Sequence, residues 1–501
     1  MERFDSEACY RAIQTRDRRF DGRLFVGVTS TGIYCRPICP ARTPKYENCR
    51  FFQTAAAAQE AGFRACLRCR PEISPELAGW RGTSNTVSRA LSLIAEGFLD
   101  QSEASVDTLA ERLGIGERQL RRLFEEHLGA SPLSVAQTRR VLFAKQLLHE
   151  TQLSMTKVAM ASGFGSVRRF NDTFRTLYRR PPSELRRRRR VHEPGLSLPA
   201  AITLQVAYQS PYDWNSMLAY LDARAIDGVE EVRNGRYRRT VSHESSDGVV
   251  EVANDPVRQG LTVSIQFPCV RALPVIVLRV RRMFDLYADV NSIGAHLSND
   301  PALARLIAER PGLRAPGGWE GFELAVRAIL GQQITVEAAR QLAGKLVRMC
   351  NPSSATLANG SLTCVFPSAR CLAASDLSAL GMPNSRKRTL KALAEAAMMN
   401  PRLFEPVGSV EEAIVRLRAI PGVGEWTAQY IALRALRETD AFPATDIGIL
   451  RGAAKIDRDV TTTQQLIERA EIWRPWRAYA AQHLWAAGAP MVSKINERSH
   501  A

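Results

Sequence analysis

The sequence contains no apolar run as long as the ~18 residues that a membrane-spanning helix needs. Its first ten residues, MERFDSEACY, show no signal-peptide pattern. We therefore expect a cytoplasmic protein. Acidic residues are in the minority, with 51 Asp and Glu against 68 Lys and Arg, so the net charge is +17. This basic balance favours a polyanionic partner.

The basic excess is unevenly distributed along the 501 residues. Residues 1–190 contain 33 basic and 20 acidic side chains and so carry +13 of the net charge. Nucleic acid is the natural partner of such a region, although a merely solvated basic surface would have the same composition. The length exceeds what one hydrophobic core serves and predicts three or four domains. The hydrophobic content of 45% is ordinary for a soluble globular protein.

Four of the ten cysteines occur as two closely spaced pairs. Cys35 and Cys39 form C-x3-C, and Cys66 and Cys69 form C-x2-C after a gap of 26 residues. In a cytosolic chain such spacings indicate a metal site more often than disulfides. Four thiolates can close a tetrahedral zinc site, so we predict one bound Zn²⁺. The other cysteines show no such pairing and are expected to be buried small apolar residues: Cys9, Cys49, Cys269, Cys350, Cys364 and Cys371.

A helical pattern that ends at Ile420 is followed by the turn Pro421-Gly422-Val423-Gly424 and by a second helical run that ends near Glu438. The two glycines allow the backbone to turn sharply and a ligand to approach closely. The free N–H groups of the second helix point out of the turn and can bind phosphate. Taken alone, the turn is equally compatible with an ordinary connection between helices. Asp446 follows, just before the apolar run Ile447–Leu450.

The complete string from Leu417 to Leu450 is more specific. It resembles the helix-hairpin-helix of DNA base-excision glycosylases, in which a catalytic aspartate follows the hairpin. Within that group it is most similar to the AlkA-type DNA-3-methyladenine glycosylase II family. The similarity covers roughly residues 200–490 and includes four further segments in the family's order: Tyr208–Trp214, Phe322–Gln333, Ala379–Pro383 and Trp473–Arg477.

This resemblance implies an enzyme that flips an alkylated purine, such as 3-methyladenine, out of double-stranded DNA. Asp446 would stabilise the positive charge that develops on the sugar; a role as a helix cap alone is the alternative. Trp426, Tyr430 and Trp485 fall at positions that line the base pocket, where aromatic faces hold a cationic base. Core packing is the alternative for Trp426 and Tyr430, which lie four residues apart on one helix face.

The resemblance also assigns roles around the two turns. Gly422 and Gly424 would bring the hairpin backbone against DNA. Gln333 occupies the family's wedge position and departs from the bulky apolar residue that the archetype has there. Glycosylases that also cut the DNA backbone carry a lysine at the start of the second hairpin helix to form a Schiff base. This chain has Glu425-Trp426-Thr427 in that stretch, so we predict a monofunctional enzyme that leaves an abasic site.

The hairpin backbone is also a candidate ion site. Carbonyl oxygens of Arg418, Ile420 and Val423 could hold a monovalent or divalent ion, in addition to the zinc of the cysteine cluster. Carbonyl groups are universal, so the sequence does not distinguish this site from an ordinary turn.

The strings TSTGIYCRPICPAR and GFRACLRCRPE resemble the N-terminal domain of the Ada family of alkylation-response proteins. In that family the first cysteine of the C-x3-C pair, here Cys35, accepts a methyl group from a DNA methylphosphotriester. A zinc-bound thiolate stays deprotonated at neutral pH and is nucleophilic. Its methylation would change the site's charge from about −2 to about −1, which favours DNA binding. A purely structural four-cysteine knuckle is the alternative.

Residues 84–190 have helical periodicity and contain two similar units about 50 residues apart. They resemble the AraC-type DNA-binding domain, with recognition helices near Glu117–His127 and Ser166–Tyr178. The side chains expected to contact DNA grooves and phosphates are Arg118, Gln119, Arg121, Arg122, Arg168, Arg169 and Asn171. A regulator of this kind would bind promoter DNA as a monomer and contact RNA polymerase.

The linker and the sheet complete the organisation. Arg186–Arg190 and the following HEPGLSLP have linker composition. Apolar and alternating runs predict strands at Thr203–Ala207, Gly248–Ala253, Leu261–Phe267 and Val275–Val280, with a helix at Trp214–Ala223 packed on the sheet. Residues 285–501 are predicted to be mostly helical.

We therefore predict a multidomain protein: a small zinc-bound α/β domain, an all-α double helix-turn-helix, and an α+β glycosylase made of an antiparallel sheet subdomain and helix-hairpin-helix helical domains. The predicted boundaries are 1–80 for the zinc domain, 84–190 for the AraC-type domain, 191–199 for the linker, 200–284 for the sheet subdomain and 285–501 for the glycosylase domain. The chain lacks the Pro-Cys-His-Arg string of the O6-methylguanine methyltransferase module.

The interpretation is one polypeptide that joins an alkylation sensor, a DNA-binding regulator and an alkylbase glycosylase. One alternative is a transcription regulator whose glycosylase module is inactive and acts as a DNA clamp; the retained Asp446 and aromatic residues argue against it. A second is a repair enzyme whose zinc and helix-turn-helix units only raise DNA affinity, which a specific operator footprint would exclude.

Overall fold

The structure is a computed structural model that describes residues 5–75, 85–100, 103–186, 201–350, 360–405, 409–457 and 462–488. The predicted linker 191–199 and residues 187–190 of the arginine run lie outside these ranges. Within them, no helix is both long enough and apolar enough to cross a membrane.

The first domain is a four-stranded sheet with the order β3-β1-β2-β4 and two helices. Its elements are α1 Ser6–Gln14, β1 Phe25–Val28, β2 Ile33–Cys35, β3 Cys49–Phe52, α2 Ala55–Glu60 and β4 Arg64–Ala65. Strands β2 and β4 are parallel, with Tyr34 opposite Ala65. The next residue on each side is a cysteine, so this register brings Cys35 beside Cys66.

The next domain is helical, as predicted. Its elements are α3 Asn85–Ala95, α4 Val106–Arg112, α5 Glu117–Leu128, α6 Pro132–Glu150, α7 Met155–Ala161, α8 Val167–Tyr178 and α9 Pro182–Leu185. The predicted recognition helices coincide with α5 and α8. In α8, Phe170, Phe174 and Tyr178 are buried four residues apart on one face, and Ser166 caps the helix by accepting from the N–H of Arg169.

An antiparallel sheet follows, with the order β5-β9-β8-β7-β6. Its elements are β5 Ile202–Ala207, α10 Trp214–Asp222, β6 Glu230–Arg233, β7 Arg236–His243, β8 Ser246–Asp255 and β9 Gly260–Gln266. Sequence analysis missed β6 and β7. In β7 the buried face includes Arg239, which is 1% exposed and bonds Glu323 at 2.8 Å. A buried ion pair of this kind conceals the usual apolar alternation.

The strand predicted at Val275–Val280 is wrong, because this stretch belongs to the helix α11 Leu273–Met283. Its buried side chains include Leu273, Ile276, Val277, Val280 and Met283, a helical rather than an alternating pattern. Pro274 lies in the first turn, where its missing N–H breaks no helical bond. The stretch is short, apolar and rich in β-branched residues, which is also typical of a buried strand, so its composition led to the wrong prediction.

The remainder is helical. Its elements are α12 Val290–Leu297, α13 Pro301–Glu309, α14 Gly321–Leu330, α15 Val336–Cys350, α16 Ala369–Ala374, α17 Asn384–Met399, α18 Val410–Arg418, α19 Glu425–Ile431, α20 Ile447–Ile456, α21 Thr463–Ala470 and α22 Arg477–Gly488. The first hairpin helix ends two residues before Ile420. The second gives way to a π-helical segment at Ala432–Leu436, whereas one helix to about Glu438 was predicted.

The unpaired cysteines only partly follow the prediction of burial. Cys9, Cys350 and Cys364 are buried, whereas Cys49, Cys269 and Cys371 are partly exposed. The partly exposed three lie at edges of the packed core, where a thiol needs no complete burial.

The second half of the helix-turn-helix domain and the glycosylase sheet share one hydrophobic core. That core contains Leu147 and Phe174 from the helices and Leu204 and Val263 from the sheet. The sheet of the predicted glycosylase therefore also supports the helix-turn-helix domain.

A buried polar network joins the same domains to the cysteine cluster. The Lys145 ammonium, fully buried in α6, donates to the Cys66 carbonyl at 2.8 Å and to Glu72 at 2.6 Å. Arg70 pairs with Glu72 at 3.0 Å and with Glu150 at 2.6 Å. Glu150 in turn accepts from the backbone N–H of Gln205 in β5 at 3.0 Å. The zinc loop, α6 and the glycosylase sheet are thus held by continuous hydrogen bonds.

The charges in this network respond differently to burial. Burial alone would raise the pKa of Glu72, but Lys145, His149 and Arg70 outweigh it and lower that pKa to about 2. Burial lowers the pKa of Lys145, and the attraction of Glu72 only partly offsets this effect. Both pKa values are lowered, which favours the charged form of Glu72 and disfavours the charged form of Lys145. The carboxylate is favoured because it faces several cationic partners, whereas the attraction of Glu72 does not compensate the ammonium for its burial. We therefore attribute the stabilising charge interaction to ionised Glu72.

Candidate active sites and DNA-binding surfaces

The four predicted zinc ligands converge on one point. The Sγ atoms of Cys35, Cys39, Cys66 and Cys69 all lie within 4.8 Å of one another. Tetrahedral coordination by four thiolates at Zn–S distances of about 2.3 Å places sulfurs about 3.8 Å apart. The donor set and its size therefore fit Zn²⁺, which such thiolates bind in structural and reactive sites alike.

The four sulfurs differ in their surroundings. The backbone N–H of Arg36 donates to Cys69 at 3.4 Å, and that of Arg68 donates to Cys66 at 3.3 Å. Cys66 and Cys69 are each 7% exposed, whereas Cys35 and Cys39 are more accessible. Within the described residues, no backbone N–H donates to Cys35. N–H donors withdraw charge from a thiolate, so Cys35 is the sulfur best suited to attack an electrophile.

A cavity of about 370 Å³ opens at this sulfur cluster. Its lining includes Arg42, Arg64 and Arg68 as well as Cys35. Arg36 also lines the cavity, but it is buried and forms an ion pair with Asp21, to which its Nε donates at 2.7 Å. The other three arginines are the groups that can face a phosphate at the cavity mouth.

The predicted DNA-contacting arginines lie on exposed surfaces of the two recognition helices. Arg118, Arg121 and Arg122 are exposed on α5, and Arg168 and Arg169 are exposed on α8. Such long side chains can reach phosphates or groove edges when the helix enters a groove.

Two of these arginines have intrahelical partners. Arg121 pairs with Glu117 at 2.5 Å, and Arg168 lies 3.8 Å from Asp172. Exposed pairs of this kind are worth at most about 1 kcal/mol, so DNA phosphates can replace them.

The hairpin turn between α18 and α19 requires glycine at one of its two glycine positions, whereas a side chain would fit at the other. Gly422 has φ +86°, and a Cβ there would collide with Thr389 Oγ1. Gly424 begins α19, and a Cβ there would meet nothing within 4 Å. The first glycine therefore shapes the turn, and the second leaves the N–H groups of α19 accessible.

We expect Gly422→Ala to lower stability by about 1–3 kcal/mol, because alanine is strained at this φ and its methyl group displaces buried Thr389. We expect Gly424→Ala to keep the wild-type melting temperature and to weaken DNA binding alone. Thermal melts and binding to a lesion-containing duplex at fixed salt would separate the two effects. Equal melting temperatures for both variants would contradict this distinction.

The predicted wedge residue lies at the turn between α14 and α15. Gln333 is exposed and has φ +56°. Its neighbour Gln332 points towards the hairpin, where its Nε2 donates to Thr427 Oγ1 at 3.0 Å and lies 3.4 Å from the Gly422 carbonyl oxygen. Gln332, which sequence analysis did not single out, ties the two turns together.

Asp446 is both a helix cap and the centre of a polar cluster. Its Oδ1 accepts from the backbone N–H groups of Gly448 at 2.8 Å and Ile449 at 3.1 Å. The same oxygen accepts from Trp485 Nε1 at 2.8 Å, and Oδ2 accepts from Trp426 Nε1 at 2.8 Å. A cap needs only the backbone bonds; the two indole bonds fix the carboxylate between aromatic side chains and leave it partly exposed.

Close packing of α20 against α22 brings Trp485 to Asp446. A Cβ at Gly448 would press on the Trp485 indole, and a Cβ at Gly452 would collide with the Leu484 carbonyl. Only glycine at these two positions lets the helices approach this closely. The spacing of Gly448 and Gly452, one helical turn apart, is the sequence signal for this contact.

The three predicted aromatic residues form one aromatic wall beside Asp446. Trp426 and Tyr430 are stacked with ring centroids 5.3 Å apart and an interplanar angle of 16°. Trp485 meets Tyr430 edge-on at 6.3 Å. A base between two parallel rings needs about 7 Å between them, so a base does not fit between Trp426 and Tyr430. It can lie only against the exposed side of this wall.

Two further residues pack against the aromatic side chains and were missed from the sequence. The Tyr220 hydroxyl lies 3.3 Å from that of Tyr430, and the Arg434 guanidinium lies over the rings of Tyr220, Tyr430 and Trp485. Burial raises the pKa of Tyr430 to about 12, so its hydroxyl stays protonated at neutral pH. Burial alone would raise the pKa of Tyr220, but Arg434 and Arg224 outweigh it and lower that pKa. The only sequence signal for Arg434 is its spacing, four residues after Tyr430.

Four family profiles match the chain in succession. They are the metal binding domain of Ada over residues 8–72, a helix-turn-helix domain over 109–188, the AlkA N-terminal domain over 203–320, and the HhH-GPD superfamily of base excision DNA repair proteins over 326–478.

Individual proteins resemble the whole chain or its C-terminal part. A probable bifunctional transcriptional activator/DNA repair enzyme AlkA of Mycobacterium tuberculosis H37Rv is 41% identical over 484 residues, 96% of each chain. DNA-3-methyladenine glycosylase 2 of Escherichia coli K12 is 36% identical over 281 residues, 56% of this chain and 95% of the relative. The solved 3-methyladenine DNA-glycosylase from Archaeoglobus fulgidus shares the fold, with a TM-score of 0.50 and 19% identity over 56% of this chain and 97% of its own.

Proposed function

The chain belongs to the family of bifunctional transcriptional activator/DNA repair enzymes that join an Ada-type metal-binding domain, a helix-turn-helix region and an AlkA-type glycosylase, and we propose that it both repairs and senses alkylated DNA. The observation that carries the repair function is Asp446, held by two indole N–H groups beside a wall of aromatic side chains. Its substrates are alkylated purines of the 3-methyladenine type in double-stranded DNA.

The reaction is hydrolysis of the N-glycosidic bond. The lesion leaves the base stack and lies against the aromatic wall of Trp426, Tyr430 and Trp485. The bond between the sugar C1′ and the base nitrogen breaks, and its electron pair leaves with the base. Asp446 stabilises the positive sugar while water bonds to C1′ and releases its proton. An alkylated purine that is already cationic departs without a strong acid, which suits a site built around one carboxylate.

The hairpin and the α14–α15 turn serve to hold the distorted duplex. Gly424 exposes the first N–H groups of α19 to a phosphate. Gln333, exposed at its turn, enters the space that the flipped nucleotide leaves. A monovalent or divalent ion held by the carbonyls of Arg418, Ile420 and Val423 would draw the phosphate closer. The Ile420 carbonyl already accepts the Val423 N–H at 3.0 Å, and its second lone pair is the one free for such an ion.

The second activity is methyl transfer to Cys35. The sulfur forms a bond to the methyl carbon, the bond between that carbon and the phosphate oxygen breaks, and an ordinary phosphodiester leaves. Zn²⁺ would keep the four thiolates deprotonated. Cys35 supplies the nucleophile, and Arg42, Arg64 and Arg68 hold the phosphate. The thioether that forms is chemically stable, so each molecule would react once.

Methylation would turn the sensor into an activator. Loss of one negative charge at Cys35 reduces repulsion from DNA phosphates. The helix-turn-helix arginines Arg118, Arg121, Arg122, Arg168 and Arg169 would then hold promoter DNA, where the protein acts as a monomer and contacts RNA polymerase. A specific footprint that appears only with the methylated protein is the expected result, and an equal footprint before methylation would refute this regulation.

The proposed glycosylase is monofunctional, because Glu425 stands where a Schiff-base lysine would begin the second hairpin helix. A duplex with one alkylated purine should release the free base and retain an intact strand that breaks only after alkali. Borohydride should trap no covalent protein–DNA adduct. Strand cleavage without alkali, together with a trapped adduct, would contradict this proposal.

A further inference from the structure

Arg434 is a buried cation without an anionic partner in the described part of the chain. It is 2% exposed. Its two terminal nitrogens donate to the Pro316 carbonyl and to the Gln482 side-chain oxygen, each at 2.8 Å, and its Nε has no hydrogen-bond partner. A buried guanidinium usually has a carboxylate neighbour, because a buried charge without a partner of opposite sign destabilises the fold. The absence of a carboxylate from the described surroundings of Arg434 therefore indicates a role other than folding.

The guanidinium lies behind the aromatic wall of the proposed pocket. Its central carbon is 4.9 Å from the Trp485 ring centroid, 5.0 Å from that of Tyr220 and 5.7 Å from that of Tyr430. Because a buried guanidinium covers one face of Trp485, a base can stack only on the other face. Trp485 also donates its N–H to Asp446, so one indole stands between a fixed positive and a fixed negative charge.

The helix that carries the wall is locally adapted to this arrangement. Trp426 and Tyr430 belong to α19, and the chain becomes π-helical at Ala432–Leu436, where Arg434 lies. Short π-helical segments are uncommon and occur frequently at functional sites. The wider turn places Arg434 under the same rings that line the pocket.

We propose that Arg434 tunes the base selectivity of the glycosylase by acting through the aromatic wall, reducing the advantage that cationic purines have over neutral ones. This inference rests on the proposed glycosylase function. Arg434 and Asp446 together form a preorganised pair of charges in which electrons are drawn towards the base and positive charge is stabilised at the sugar. Arg434 touches no reacting atom. It acts indirectly, through the electrostatic field that its charge produces where the base binds.

The effect differs between the two substrate classes. When the glycosidic bond breaks, the base gains one electron pair and its charge falls by one unit, whether it begins neutral or cationic. Arg434 therefore assists bond breaking for both. A cationic base, however, is repelled while it waits in the pocket, and a neutral base is not. Removing the charge should slow bond breaking for both classes and tighten the binding of the cationic class alone.

A base on the far face of Trp485 would lie roughly 8 Å from the Arg434 charge, at which distance a unit charge in a partly solvated site changes an equilibrium or rate by about tenfold or more. The test uses the full chain with duplexes that carry either hypoxanthine, which is neutral, or 7-methylguanine, which is cationic, in one sequence context. Single-turnover rates and half-saturation concentrations are measured for wild type, Arg434→Met, Arg434→Gln and Arg434→Lys.

The neutral variants should raise the specificity ratio of 7-methylguanine to hypoxanthine about tenfold. The maximal rate should fall on both substrates, and half-saturation should tighten only for 7-methylguanine. Arg434→Lys, which keeps the charge, should keep the wild-type ratio. Arg434→Gln retains a hydrogen-bond donor, so it replaces Arg434→Met in the comparison if the Met variant has a much lower melting temperature than wild type. An unchanged ratio in a folded neutral variant would overturn the inference. Wild type that releases neither base would instead refute the proposed function.

Discussion

Asp446→Asn is expected to reduce base release from alkylated duplex DNA on the order of 10³-fold or more. Asparagine removes the negative charge that stabilises the positive sugar, yet its carbonyl oxygen can still accept the N–H groups of Gly448 and Ile449 that cap α20. Single-turnover release of a radiolabelled base measures the effect. The binding of abasic DNA and the melting temperature of the variant show that the fold persists.

A matched control for this substitution is Asp440→Asn. Asp440 is another partly buried carboxylate of the helical domain, and it pairs with Arg477 at 2.7 Å away from the indole pair. We expect this variant to lose some stability and to retain its rate of base release. Comparable loss of release in both variants would mean that Asp446 acts through folding, and activity in Asp446→Asn would exclude it as the catalytic carboxylate.

The second large effect is expected at the cysteine cluster. Cys35→Ala should abolish methyl uptake from methylphosphotriester DNA, because Cys66 and Cys69 are more buried and accept backbone N–H bonds, and Cys39 accepts the backbone N–H of Ala41. It should also abolish the methylation-dependent gain in promoter affinity. Mass spectrometry of the peptide that contains residue 35 measures the uptake, and base release by the same preparation shows that the glycosylase remains folded.

Cys49→Ala is the control for cysteine chemistry. Cys49 is a partly exposed free thiol outside the cluster, so its loss should leave methyl uptake at the wild-type level. If the Cys35→Ala variant were methylated at another cysteine of the cluster, that cysteine and not Cys35 would be identified as the methyl acceptor. Uptake by wild type at Cys49 would show that the reaction is not specific to the zinc site.

Much of the architecture could be predicted from local patterns. The C-x3-C and C-x2-C spacings identified all four clustered sulfurs, and the glycines of the 421–424 turn identified the hairpin. These signals are local because a few consecutive residues determine each geometry. The stacking of Trp426 on Tyr430 likewise follows from their spacing on one helix.

The features that could not be predicted from the sequence depend on contacts between distant segments. Arg239 is buried in β7 only because Glu323 meets it from α14, so the strand lacked the expected apolar alternation. Arg434 and Tyr220 lie 214 positions apart and meet only in the folded pocket. The composition of Val275–Val280 suits a strand as well as a helix. The stretch is helical because the helix α11 buries its apolar face in the core.

The network from Cys66 through Lys145, Glu72, Arg70 and Glu150 to Gln205 also could not be predicted, since it joins three segments that are distant in sequence: the zinc loop, α6 and β5. It gives the zinc loop and the glycosylase sheet a common support.

If one chain performs two repairs of methylated DNA, full-length protein incubated with DNA that carries labelled methyl groups on bases and phosphates should distribute the label between two fractions. These are free methylated purine released by the glycosylase, and S-methylcysteine at residue 35. Label in the protein with no free purine would instead indicate a regulator whose glycosylase module only binds DNA, and two repair activities would be excluded.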